Sequence, residues 1–130
     1  MKDDALTGRI IAAAINVHKA LGPGFLESVY EEALAIEFDS VGLRFERQKI
    51  VPISYRGRPV GEHRLDFLVE NRVVVELKAV AALEKIFFAV VRSYLKATGA
   101  ESGLLFNFAA MPLTIKRIAP EDLKYLVTRS

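Results

Sequence analysis

The stretch RLDFLVENRVVVELKAV (Arg64–Val80) decides the fold, because two apolar runs rich in β-branched residues flank the polar triplet Glu70-Asn71-Arg72. Such a pattern predicts a β-hairpin. Side chains alternate between the faces of a strand, so Val73, Val75, Leu77 and Ala79 share one face and Val74, Glu76, Lys78 and Val80 the other. In the preceding run Leu65, Phe67 and Val69 take one side, and Asp66, Leu68 and Glu70 the opposite one. The loop length fixes how these faces meet. A three-residue loop pairs Val69 with Val73 and sets Asp66 opposite Glu76, whereas a two-residue loop sends the two carboxylates to opposite faces. Only the three-residue loop gathers the charges on one side, and it is the register expected.

Two ionised carboxylates at about 4.5 Å and an effective dielectric of ~20 repel by roughly 3 to 4 kcal/mol. That is a large fraction of a domain's stability. Lys78, two residues along on the same face, offsets part of it, and a divalent cation would offset the rest. Hard oxygen donors suit Mg²⁺ or Mn²⁺, bound through one or two carboxylates with water and substrate phosphate. The same residues also describe a sheet with one wet face, on which Glu76 and Lys78 form an exposed pair of little energetic value. Alternation alone leaves both readings open.

Working outward, the strand 59–70 is preceded by a strand at 44–56, joined through RGRP with Gly57 at a position suited to positive φ. Upstream, Leu6, Ile10, Ile11, Ala14, Ile15, Val17 and Leu21 recur at helical spacing and predict a helix over 4–21, broken by LGPG. A second helix is expected from about Phe25 to Val41, stopped by Gly42, with Leu26, Val29, Ala33 and Ile36 as its buried stripe. Downstream, a helix over 83–98 ends at Gly99, strands are expected at 102–108 and 113–118, and a short closing helix at Pro120–Val127. The order is α, α, β, β, β, α, β, β in one mixed α/β domain spanning residues 1–130.

Composition narrows the chemistry. The chain has no cysteine, which excludes thiol catalysis, disulfides and thiolate metal sites. Its two histidines, His18 and His63, make no ligand pattern, and His18 reads as a buried, hydrogen-bonded side chain. Tyr94 and Asn107 read first as structural. The longest apolar runs are too short to span a bilayer, so a cytoplasmic protein without a membrane partner is expected. Charge is unevenly spread: residues 1–42 are net acidic, whereas 43–64 hold Arg44, Arg47, Lys49, Arg56, Arg58 and Arg64 against two acids. These cations would serve either as phosphate contacts or as a solvated strand face. A hydrophobic content of 52% and a mean hydropathy of +0.23 are in keeping with a homodimer that buries one helix face.

LDFLVENRVVVELK resembles the PD-(D/E)XK nuclease signature, with Asp66 as the first acid and Glu76-Leu77-Lys78 as (D/E)XK. GFLESVY, carrying Gly24, Glu27 and Tyr30, resembles the pattern that names the GxxExxY family of that superfamily. AAINVHKALGPGFLESVYEEAL, YLKATG, GLLFNF and IKRI resemble further segments of that family in the same order, so the likeness runs over roughly residues 10–118. It implies a restriction-endonuclease-like core, α-β-β-β-α-β with a mixed sheet flanked by helices, at about residues 24–108, with an extra N-terminal helix. It further implies one or two Mg²⁺ (or Mn²⁺) ions on Asp66, Glu76 and the Leu77 carbonyl, and Lys78 activating water and facing the scissile phosphate. Glu27 would be an auxiliary acid, though an acid in a helix's first turn is also favoured by the macrodipole, and Tyr30, one turn on, reads either as a hydrogen-bond donor to Glu27 or as a core aromatic with its hydroxyl at the rim. The partner implied is nucleic acid, DNA rather than RNA. One departure stands out: relatives carry glutamine in an A-Q-x-x-x-Y-L segment where AVVRSYL has Val90. A valine cannot bond a phosphate or a metal-bound water, so the rival reading is an inactive nuclease-fold module that binds nucleic acid or a protein partner.

Overall fold

The computed structural model describes residues 4–120. Its elements are α1 (Asp4–Leu21), α2 (Glu27–Ser40), β1 (Phe45–Tyr55), β2 (Arg58–Val69), β3 (Val73–Lys78), α3 (Lys85–Thr98), β4 (Ser102–Asn107) and β5 (Thr114–Ile118). The order matches the reading of the sequence. Residues 121–127 of the closing helix expected at Pro120–Val127 lie outside the described residues.

The five strands form one sheet in the order β1-β2-β3-β4-β5. β3 and β4 run parallel and the other neighbours antiparallel. A parallel pair needs a crossover, and α3 supplies it. Helices cover both faces. α1 and α2 bury Ile10, Ala14, Tyr30, Leu34 and Phe38 against Phe67, Val73, Val75, Leu77 and Phe106. On the other face α3 buries Val91, Tyr94 and Leu95 against Leu65, Leu68, Val74 and Leu105. Close approach on this side depends on Gly103, where a Cβ would lie 2.7 Å from Val91 Cγ1.

The hairpin register is the one expected. Val69 faces Val73 across Glu70-Asn71-Arg72, and Glu70 and Asn71 take positive φ in a turn closed by Arg72 N–H on Val69 O at 2.9 Å. α3 ends at Gly99 with φ 72°, a left-handed cap of the kind glycine favours.

Two expectations need correction. The buried stripe of α2 is Tyr30, Leu34, Ala35 and Phe38, while Leu26 (76%) and Ile36 (69%) are exposed, as is Val29. Both stripes have helical spacing. The docked one carries the two aromatic side chains, whose larger area decides which face goes inside. The second correction concerns β2, where Leu65 does not share a side with Phe67 and Val69. Phe67 and Val69 belong to the α1/α2 side and Leu65 to the α3 side. β1 does the same, with Phe45 on the first side and Val51 on the second. The pair changes faces between Arg47↔Phe67 and Lys49↔Leu65, at Gln48, whose φ is +49°. Beyond that point β1 and β2 run on as a ribbon, exposed from Ser54 to Glu62, with Arg56-Gly57 at its tip.

Candidate functional site

The site begins where strand pairing stops. The β2–β3 ladder ends at Phe67↔Val75, so the next residues, Asp66 and Glu76, sit at a fork. The Asp66 carboxylate enters it and its Oδ2 accepts the Leu77 N–H at 2.8 Å, while the Asp66 N–H is 3.4 Å from Glu76 Oε1. Asp66 thus takes a ladder position with its side chain. Because N–H and C=O of one strand residue point the same way, the Leu77 carbonyl faces the same fork. Lys78 points its backbone carbonyl the other way, accepting Phe108 N–H at 2.8 Å.

Glu76 is only 7% exposed, which removes the reading of a wet surface pair. Burial, then the charge of Asp66, pushes its carboxyl up to about 8, with a hydrogen bond between the two carboxyls acting in the same direction. Asp66 is also raised, chiefly by burial. Its bond from Leu77 works against that shift, and the charges of Glu31 and Glu27 add to it. The pair is thus short of positive charge. Lys78 lowers both acids but forms no ion pair among the described residues, its Nζ lying 4.7 Å over the Phe87 ring.

Glu27 arrives from the start of α2, and its Oε2 accepts the Ala79 N–H at 3.2 Å, one strand position beyond the Leu77 carbonyl. Tyr30 lies elsewhere. It is fully buried, stacked on Phe108 at 4.6 Å, and its hydroxyl donates to Gly22 O at 2.6 Å rather than to Glu27. The same oxygen accepts Phe25 N–H at 3.2 Å. Gly24, Glu27 and Tyr30 therefore form one local device: the tyrosine ties the loop that delivers Glu27 to the end of β3.

Three further groups surround the acids without having been singled out for it, and one of them, Gln48, makes contact. Gln48 Nε2 is 2.8 Å from Glu31 Oε1 and 3.5 Å from Asp66 Oδ1. Arg47 forks onto Glu31 (2.8 Å) and Glu32 (2.6 Å), clamping β1 to α2. Tyr94 is pushed up to about 12 by burial and by the charges of Glu76 and Asp66, and packs edge-on against His63 at 4.6 Å. Burial lowers His63. No motif announces Gln48, because its place depends on a backbone twist. Structural expectations hold elsewhere: His18 is buried with Nε2 2.9 Å from Ala110 O, and Asn107 bonds both Val80 N–H and Val80 O. Val90 packs into the α3-side core.

Among the described residues no group of three or more His, Cys, Asp or Glu side chains is arranged to hold a metal ion. The donors at the fork are nonetheless hard oxygens, two carboxyls and a backbone carbonyl, and a small divalent cation takes one or two carboxylates with water completing its shell. That donor set fits such an ion. A family model described as the PD-(D/E)XK nuclease superfamily matches residues 4–118. The chain belongs to the PD-(D/E)XK nuclease superfamily. Its mixed five-stranded sheet between helices is the restriction-endonuclease-like fold of that superfamily. A search of curated proteins finds no match. Among solved structures, the crystal structure of SSO0001 is similar, with a TM-score of 0.57 and 14% identity over 91% of this chain. This superfamily member spans 59% of the SSO0001 chain. No helix of the described residues is long and apolar enough to cross a membrane.

Proposed function

We propose that this chain is a metal-dependent nuclease that hydrolyses phosphodiester bonds in DNA, in the GxxExxY branch of its superfamily, as a single cytoplasmic domain over residues 1–130. The observation that carries the reading is the fork in which half-buried Asp66 and buried Glu76 meet with too little positive charge around them. Asp66, Glu76 and the Leu77 carbonyl would hold Mg²⁺ or Mn²⁺, with Glu27 alongside. A bound ion supplies a water of lowered pKa and a positive charge for the phosphate oxygens, so no histidine base is required. Lys78 is the cation of the site, and its Nζ, over the Phe87 ring and without an ion pair among the described residues, is the group to orient that water and meet the scissile phosphate. Arg56, Arg58 and Arg64, which form no ion pair among the described residues, would grip the backbone from the ribbon. A two-stranded ribbon fits a duplex major groove. The exposed apolar face of Leu26, Val29 and Ile36 supports a homodimer; sedimentation showing a monomer at all concentrations would remove it.

The test compares wild type with Glu76→Ala on single-stranded, duplex, branched and RNA substrates with Mg²⁺ or Mn²⁺. Cleavage by wild type alone is expected, and equal products from both proteins would end the enzyme reading. Val90, half-buried against the α3-side core at the position where the family pattern this sequence resembles has glutamine, favours the second reading, a nucleic-acid or protein binding module. DNA retention without turnover by wild type would establish that one.

A further inference from the structure

We infer that Gln48 is a positioning residue for the Asp66 carboxylate, a role that rests on the metal-dependent reading above. Its backbone stands at φ +49° inside a strand, a conformation that side chains other than glycine, asparagine and aspartate adopt rarely and at a cost. Such strain persists only where the surroundings over-determine it. Here they do so from two directions. The β1–β2 pair changes faces at this residue, so Phe45 and Phe67 before it pack under α1/α2 and Val51 and Leu65 after it pack under α3. A residue at the point of reversal projects toward neither core. Gln48 aims its amide at the carboxylates instead: Nε2 sits 2.8 Å from Glu31 Oε1 and 3.5 Å from Asp66 Oδ1.

Glu31 is itself fixed by Arg47, with Nη2 at 2.8 Å and Nε at 3.3 Å, so the amide is anchored through α2. The Asp66 carboxylate is then held on two sides, by Leu77 N–H on Oδ2 and by Gln48 on Oδ1. An amide suits this place better than a cation. It orients the carboxylate without neutralising it, and leaves its charge for an ion at the fork. Outer partners of ligating groups typically cost ten- to a hundredfold in metal affinity when removed.

Gln48→Gly and Gln48→Asn test the assignment, because both residues accept a left-handed backbone while glycine lacks the amide and asparagine is one methylene too short. Mn²⁺ affinity, read by the loss of the free-ion EPR signal, is expected to weaken about tenfold or more in both, with the melting temperature of the metal-free protein retained. In ¹⁵N spectra of the wild type, the Gln48 side-chain amide signal is expected to move on titration with Mg²⁺, and that measurement decides the matter should a variant fail to fold. Affinities within about threefold of wild type, or an unmoved amide signal, would overturn the inference while leaving the nuclease reading intact. Absence of Mn²⁺ binding by the wild type would overturn the metal-dependent reading, and this assignment with it.

Discussion

Glu76 holds a proton in the folded, metal-free protein that an unfolded chain gives up near its ordinary value of 4.5. The unfolded state binds fewer protons between that value and about 8, so stability must fall as pH rises through this window. In chelator, the unfolding free energy from denaturant titration is expected to drop from pH 4.5 to 8 by up to a few kcal/mol, and Glu76→Gln should flatten the profile. A slope of the opposite sign would mean that the carboxyl is not held neutral. Lys78 tests a different step: Lys78→Met should abolish cleavage by 10²-fold or more yet leave Mn²⁺ affinity within a fewfold, since its Nζ rests over Phe87 and not on the acids. At this scale the sequence made the meeting of Asp66, Glu76, Leu77 and Glu27 legible, since strand register and a helix start bring them to one place, with Lys78 near enough to lower both acids. It left Tyr30 open between a bond to Glu27 and a place in the core, and the structure takes the second; it said nothing of Gln48, whose position no periodicity encodes.

Among the elements, the β1–β2 ribbon carries Arg56, Arg58 and Arg64, which have no carboxylate partner among the described residues. If Arg56 and Arg58 each contact a phosphate, the double change to alanine should lower the salt slope of DNA binding by about 1.8, at ~0.9 per contact, without altering Mn²⁺ affinity. Titration by fluorescence anisotropy at several salt concentrations reads this directly. Under α3, Gly103→Ala would drive a methyl into Val91 and should cost roughly 1 to 3 kcal/mol, part of it recovered in Gly103→Ala/Val91→Ala. Thermal melts of the three proteins provide the check. Element boundaries were readable to within about two residues because turn chemistry marks them, as at Gly57 and Gly99. The inward face of α2 was not legible from spacing: Leu26, Val29, Ala33 and Ile36 make as regular a stripe as the one that docks, and only the larger area of Tyr30 and Phe38 separates the two.

For the whole molecule, a cation that relieves the fork must stabilise the fold. At neutral pH and a hundred times its dissociation constant, Mn²⁺ should add about 2.7 kcal/mol, seen as a higher melting temperature that Asp66→Asn removes. An unchanged melt at saturating metal would argue that no ion enters. The topology as a whole was legible, since helical and alternating periods follow one another cleanly along the chain. What the sequence concealed is the reversal of sides at Gln48 and Asp66. Each half of β1 and of β2 is amphipathic, but the halves are offset by one residue, so a two-residue harmonic taken over the full strand interferes destructively with itself. Alignment with a chain of similar fold at 14% identity, where residue matches are sparse and hydropathy carries the signal, therefore has to allow a phase slip beside the first acid.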